Sequence, residues 1–485
     1  MTAVKSLLFA SAAALVATGA AQAADLPVRK AAPVDYVRVC DFTGAGFFYI
    51  PGTDTCLQIT AQTRIEGVFI SNSRTLAPIP GAAGRAPGVN SAIVPARERD
   101  ETGFLARARL GVDARTQTAY GTLRTYLQYQ IDRLQGLYFG GGPNGGVNTF
   151  ANSGGNNAAL RRGFIQFAGI TAGRLQSFFD FYADNYNYEG IANSDYSNNV
   201  FAYTYTAGGG FSATLSLEDR NARNLPQNLG NILGGPNNVA GAARYAGETV
   251  PDIVGVLRLD QTWGSAQLSG AYHQIQSTSG AFAGTGGQGF GTADTDGFAV
   301  QAGVRLKLPM LAAGDDLWVE GAYQEGAYTY MDSGSYFNGG FNSIAVGGFQ
   351  HIDRDAVAVH LVGTPAAAYV LDKGRGFSVM AAMNHYFTPN FHDVLFGSYE
   401  QVTYGNGVKN IDWTLGGIGD ASQYRVGNQF LWDPVKNLEF GLEVDYLHID
   451  QTLAHNRGQL ATALPAGVSK NPDAFETRFR VQRDF

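Results

Sequence analysis

Charge is scarce in this sequence. Asp, Glu, Lys and Arg make up 15 % of its 485 residues, where soluble domains carry about 25 %. The balance is acidic, 34 basic against 41 acidic side chains, so the basic footprint of general nucleic-acid binding is missing. Long apolar runs are missing too. Beyond residue 23 none approaches the roughly 20 residues of a membrane helix, which excludes a helical membrane protein. The seven histidines, 273, 351, 360, 385, 392, 448 and 455, show no H-E-x-x-H or other metal spacing. There is no G-x-S-x-G elbow and no Walker P-loop. Gly140-x-Gly142-x-x-Gly145 and Gly284-x-Gly286-x-x-Gly289 fit the dinucleotide pattern only formally, because both lie in Gly-rich loops without its strand and helix. With no repeat of fixed period, propellers and solenoids are disfavoured. No catalytic residue, metal or cofactor is expected.

What is abundant is glycine, 63 residues, and aromatics, 30 Phe and 24 Tyr. Gly-rich turns joining strands whose outer face meets lipid would give this composition, and so would a secreted soluble β-protein. Export is indicated at the start: Lys5, a short apolar core through Ala17, then Ala21-Gln22-Ala23 read as a signal peptide, residues 1–23, cleaved after Ala23. The two cysteines, Cys40 and Cys56, flank Gly44, Gly46, Pro51 and Gly52. In an exported chain such a pair most simply forms one disulfide. The rival redox and metal readings lack a C-x-x-C spacing and a nearby His. Residues 24–55 are accordingly expected to form a periplasmic turn segment, and 56–485 the main domain.

Period-2 alternation decides between the β readings. Leu57, Ile59, Ala61, Ile65 and Phe69 share one face, with Gln58, Gln62, Arg64 and Glu66 on the other. Phe104, Ala106, Ala108 and Leu110 oppose Arg107 and Arg109, and Leu127, Tyr129 and Ile131 oppose Arg124, Gln128 and Asp132. Such segments are Leu57–Phe69, Phe104–Arg115, Ala119–Arg133, Ala159–Ala168, Thr171–Phe179, Val200–Ala207, Phe211–Asp219, Ile253–Thr262, Ala266–Gln276, Gly297–Leu308, Asp315–Met331, Asp355–Tyr369, Gly376–Phe387, Phe391–Tyr404, Ser422–Trp432, Asn437–Asp450 and Phe475–Phe485. Many exceed the roughly 9–11 residues that a tilted strand needs to cross a bilayer, whereas soluble strands run about 5–6. The segments number seventeen, and single-chain barrels use an even number. Sixteen strands are therefore expected, with Asp355–Tyr369, broken by Gly363-Thr364-Pro365, the weakest. Connections come in two sizes. Short ones include Gln117-Thr118, Gly208–Gly210, Gly264-Ser265, Asp372–Arg375 and Asp433–Lys436; long ones include Asn72–Glu101, Leu134–Ala158, Arg220–Pro251, Ser277–Asp296, Asp332–Arg354 and Gln451–Asp473. The fold class is thus an all-β transmembrane antiparallel barrel with short periplasmic turns and long extracellular loops.

The final segment alternates most cleanly. Phe475, Phe479, Val481 and Phe485 share a face with Thr477 and Arg483, and Glu476, Arg478, Arg480, Gln482 and Asp484 take the other. It is expected to close the barrel against Cys56–Phe69 and remove both edges. Phe485 then serves as the C-terminal insertion signal.

Several blocks resemble the alphaproteobacterial-type general porin family. They are Ala24-Asp25-Leu26-Pro27-Val28, Tyr36-Val37-Arg38-Val39-Cys40-Asp41, Gly46-Phe47-Phe48-Tyr49-Ile50-Pro51-Gly52-Thr53-Asp54-Thr55-Cys56-Leu57, Gly173-Arg174-Leu175-Gln176-Ser177-Phe178-Phe179-Asp180-Phe181 and His385-Tyr386-Phe387-Thr388-Pro389-Asn390 with Gly397-Ser398-Tyr399. The resemblance implies a homotrimer of sixteen-stranded barrels in the outer-membrane lipid, with one loop folded into the lumen. By resemblance that loop is the acidic, aromatic segment after Phe179. Arg64, Arg107, Arg109, Arg124, Arg162 and Arg174 on the wall, facing Asp180, Asp184 and Glu189 on the loop, are expected to line the constriction and set a transverse field. The partners implied are lipid, further copies, the barrel-insertion machinery and small hydrophilic solutes. A general diffusion pore is the first functional expectation. A substrate-specific channel, for which Tyr182–Tyr188 offers an aromatic track, is the second. A structural or adhesive barrel comes last, because no segment is long enough for a globular passenger.

Overall fold

The structure, a computed structural model, describes residues 38–40, 42–71, 73–78, 91–94, 101–136, 154–220, 223, 243–245, 249–279, 292–332, 345–346, 355–360, 369–409, 419–452, 471 and 473–485. The signal-peptide reading and both glycine motifs lie outside the described residues.

Sixteen strands form the wall: β1 (Thr55–Ile70), β2 (Thr102–Thr118), β3 (Gly121–Gly136), β4 (Gly154–Phe167), β5 (Ile170–Gln176), β6 (Ser197–Gly208), β7 (Phe211–Glu218), β8 (Asp252–Gln261), β9 (Gly264–Ser279), β10 (Thr292–Lys307), β11 (Asp316–Glu325), β12 (Arg375–Thr388), β13 (Phe391–Thr403), β14 (Ala421–Val435), β15 (Leu438–Gln451) and β16 (Asp473–Asp484). Each pairs antiparallel with its sequence neighbour, and β16 returns to β1 with Gln62 opposite Asp484 and Ile70 opposite Glu476. The closing pair is extended by reciprocal backbone bonds between Ala61 and Phe485. Closure leaves no strand edge in the membrane, the condition that lets a sheet span hydrocarbon.

One rim carries short turns, such as 119–120, 168–169, 209–210, 262–263, 389–390 and 436–437; the other carries the long connections. The segment Asp355–Tyr369 is corrected here. Ala356–His360 pairs with Tyr369–Lys373 in a separate two-stranded sheet within the long connection between β11 and β12. Asp372–Arg375 is therefore not a short-rim turn. The strand Asp315–Met331 also ends early, at Glu325, before a 3₁₀ turn at Tyr328–Tyr330.

The outward rows are apolar and exposed, among them Ile59, Leu110, Ile131, Ile165, Leu215, Leu268 and Leu395. Aromatic pairs mark both ends of this belt. Phe387 and Phe391 (5.7 Å) and Trp432 and Phe440 (5.4 Å) lie near the short turns; Phe298 and Tyr323 (6.1 Å) and Tyr446 and Phe475 (5.0 Å) lie towards the long loops. Such girdles sit at the two membrane interfaces of outer-membrane barrels.

Before β1 the chain folds into a hairpin. Val39 bridges to Phe48, and Phe48–Tyr49 pairs with Leu57 and Cys56 on β1. Cys40 and Cys56 are joined by a disulfide and packed with Phe47. Arg115, a lumen residue of β2, lies over the Phe47 ring at 4.6 Å, so the hairpin leans into the short-turn mouth of the lumen.

Candidate pore constriction

The lumen wall has two unlike halves. On β8–β14 the inward positions include Val254, Val256, Ala271, Ala299, Trp318, Met380, Val394, Phe396 and Leu431, all buried. An apolar wall facing water would be unfavourable. A loop covers it. β5 has 7 residues because the chain leaves the wall at Ser177, crosses the interior, and rejoins it at Ser197. Phe179 packs on Val254, Val256, Ala271 and Ala299. Phe181, Tyr182 and Ile191 pack on Trp318, Met380, Val394, Phe396 and Leu431.

Polar anchors fix the loop on this seat. Glu218 accepts from Phe178 N (3.1 Å), Glu320 from Tyr182 N (2.9 Å), Glu443 from Tyr188 N (2.6 Å) and Glu189 N (3.0 Å), and Ser398 from Ala192 N (3.2 Å). Backbone amides that leave the sheet must find acceptors elsewhere, and buried wall carboxylates supply them. Arg478 on β16 holds the far end, donating to Glu189 and to the Tyr188 carbonyl. Arg480 lies over the Tyr188 ring at 3.4 Å. The same tyrosine explains Gly441, since a Cβ there would stand 1.8 Å from its hydroxyl.

The loop carboxylates are engaged within this assembly. Asp180 accepts from Arg223 (3.1 Å), Gln176, Ser194 and Tyr196 N. Asp184, at φ 48°, accepts from Asn187 (2.9 Å), Asn193 (2.6 Å) and Ile191 N. Local hydrogen bonding of this kind is what lets Asp occupy the left-handed region. Burial, with the Asp195 charge behind it, pushes the Asp184 carboxyl up to about 8, and burial followed by Asp180 pushes Asp195 up to about 6.

A pH dependence follows. An open chain releases the Asp184 proton near 3.8, whereas the folded loop keeps it up to about 8. The folded state then binds a proton that the unfolded state has lost, so stability falls as pH rises through that interval. The thermal unfolding midpoint in detergent should decline from pH 5 to pH 8 (about the span between those values), and Asp184→Asn should flatten the decline. An unflattened variant would remove Asp184 as its source.

The other half of the lumen, β1–β4, is uncovered by the loop and polar. Register places Arg64 opposite Arg107, and Gln62 opposite Arg109. Arg107 pairs with Asp132 (2.8 Å), Arg109 donates to Gln130 (2.6 Å) and Arg64 to Gln482 (2.8 Å). Arg162 stands opposite Gln128. These four predicted arginines thus share one wall. Arg124 lies nearer the short turns, bound to Asp113 at 2.8 Å. Arg174 does not join this wall. It stands opposite Gly163 and Asn199, in the outward row of Ile165, Ile170 and Phe201, and its Nε donates to the Leu160 carbonyl. Its strand neighbour Thr171 faces in, and three residues along a strand invert the face.

The sequence reading missed Glu218, Glu320 and Glu443, whose inward parity was visible but whose role needs the loop. It also missed Arg161. The β3–β4 register slips between Gln128 and Tyr129, leaving Arg161 as an extra residue between Leu160 and Arg162. Alternation alone cannot place two neighbours on one face; a bulge does.

Residues 25–474 match the family model described as Porin subfamily. The chain is 31 % identical over 285 residues to porin Omp2b of Brucella suis, a stretch covering 56 % of this chain and 66 % of that protein. Omp2b of Brucella melitensis matches at 30 % over the same length. The matched stretch thus falls just short of two thirds of these relatives. The outer membrane channel DcaP of Acinetobacter baumannii superposes with a TM-score of 0.53 at 12 % identity, covering 90 % of this chain and 99 % of that one, a likeness of fold. With the family model spanning nearly the whole barrel, the chain belongs to the porin family of bacterial outer-membrane barrels.

Proposed function

We propose that this chain forms a water-filled channel through which small hydrophilic solutes and ions cross the outer membrane passively. One observation carries the reading: the loop covers the apolar half of the lumen wall and leaves the arginine-bearing half bare. A barrel built only for structure has no use for a seated loop that stops at the polar wall. The constriction lies between the loop and Arg64, Arg107, Arg109 and Arg162.

Export by the signal peptide 1–23 delivers the chain, and Phe485, bonded to Ala61 at the closing seam, marks it for the insertion machinery. The working unit is a homotrimer. Arg174 supports this: facing lipid within the apolar belt, an arginine costs about 2–4 kcal/mol at mid-depth, and a neighbouring copy packed on β4 and β5 removes that cost.

Purified protein added to a planar lipid bilayer should produce discrete current steps in salt. Arg107→Gln with Arg109→Gln should alter unit conductance or ion preference. An insulating native protein would overturn the channel reading, and unchanged currents in the variant would remove these two residues from the constriction.

A further inference from the structure

We infer that Arg161 and Arg162 form a binding station for small oxyanions, phosphate or carboxylate, on the bare wall, and that the pore favours anions. The inference rests on the channel reading and names its substrate class.

The bulge in β4 presents two adjacent guanidinium groups where regular pairing would present one. Both side chains are exposed, and among the described residues neither makes a salt bridge. Arg161 feels the charges of Arg107, Arg162 and Arg174, with Asp195 on the loop as its opposing carboxylate. Arg109 feels Arg107, Arg161 and Arg162. Like charges brought together raise the potential of the wall, and a concave, low-dielectric setting focuses it.

Neutralisation from the opposite side is weak. Asp180 is committed to Arg223, Asp184 to Asn187 and Asn193, and Glu189 to Arg478. The loop turns these three carboxylates towards its own interior and its seat. The two carboxylates on the bare wall at this level are also taken, Asp132 by Arg107 and Glu66 by Arg478 and Arg480. Asp195 on the loop, which also accepts from Gln176 (2.8 Å), is the carboxylate opposing Arg161, and the open passage runs beside four arginines, Arg64, Arg109, Arg161 and Arg162. A forked guanidinium pair matches the oxygen geometry of phosphate and carboxylate.

Arg161 and Arg162 would act on permeation directly, by contact with the passing anion. The test uses the full chain in planar bilayers under a potassium chloride gradient. The reversal potential of the native protein should report anion preference. Arg161→Gln with Arg162→Gln should lower the anion-to-cation permeability ratio roughly fivefold at ~0.1 M salt, as two charges seen through water at ~8 Å allow. Arg161→Lys with Arg162→Lys keeps the charge and should keep the preference. Inorganic phosphate should reduce chloride current in the native and Lys forms with a saturating dose dependence, and the Gln form should lose that block. Should the Gln form fail to insert, the native and Lys forms still decide by phosphate block. A native protein that passes no current overturns the channel reading. Conduction with cation preference, absence of phosphate block, or a Gln form as anion-selective as the native one overturns this inference and leaves the channel standing.

Discussion

Replacing Arg478 with methionine is expected to unseat the far end of the lumen loop and cost about 3 kcal/mol or more. The guanidinium donates to Glu66 (3.1 Å), Glu476 (2.5 Å), Glu189 and the Tyr188 carbonyl, and all three carboxylates are buried. Removing one cation from such a group leaves buried charge uncompensated, the expensive way to break an ion network. Arg480 stays on Glu66 and Arg425 near Glu476, so the loss falls mainly on Glu189. That residue is the loop's link to β16. With it gone, Tyr188 and Glu189 keep their amide bonds to Glu443, and the loop hinges about that anchor. Unit conductance in a bilayer should rise with more open-state noise, and the unfolding temperature should fall. A variant with native conductance and native melting would show that the ion network is not what seats the loop.

Much of this was legible in the sequence, and the reasons differ by element. Closure of β16 on β1 was visible because both strands alternate strictly, which fixes register when one face meets lipid. The surplus segment Asp355–Tyr369 alternates too, but its first part, Ala356–His360, pairs with Tyr369–Lys373 and not with the wall. Alternation reports a two-faced strand without saying which sheet it joins. The seat of the loop left a fainter mark. Val379-Met380-Ala381-Ala382-Met383 and Val394-Leu395-Phe396 are apolar on consecutive residues, the pattern of strands covered on both faces. In a pore wall that means something apolar lies inside. The charges were hardest. Arg161 depends on a bulge, and the loop carboxylates were read as facing the wall arginines when Asp180 is held by Arg223, Asp184 is bound within the loop and Glu189 is held by β16. Residue type fixes charge, but only the folded loop decides where the charge points.

Removing the Cys40–Cys56 bridge, by Cys40→Ser with Cys56→Ser, should act at the opposite end of the pore. The bridge closes a loop with a sequence separation of 16, for which the chain-entropy estimate is about 3 kcal/mol. The hairpin's other holds on the wall, among the described residues, include the pairing of Phe48–Tyr49 with β1, the Ile50 N to Thr55 carbonyl bond, and Arg115 over Phe47. Between the hairpin and the bare wall lies a cavity of about 650 Å³ reaching Gln58, Gln62, Arg109, Gln128 and Asp484. In the proposed channel, solutes that pass the arginines would leave beside this hairpin. Freed from its bridge, it should swing from the mouth, raise conductance, and lower the unfolding temperature. The two readouts separate two roles. Lower stability with native conductance would make the bridge a staple for the start of β1 alone. Higher conductance as well would make the hairpin a second narrowing in series with the loop, and the arginine wall between them a chamber with an entrance and an exit.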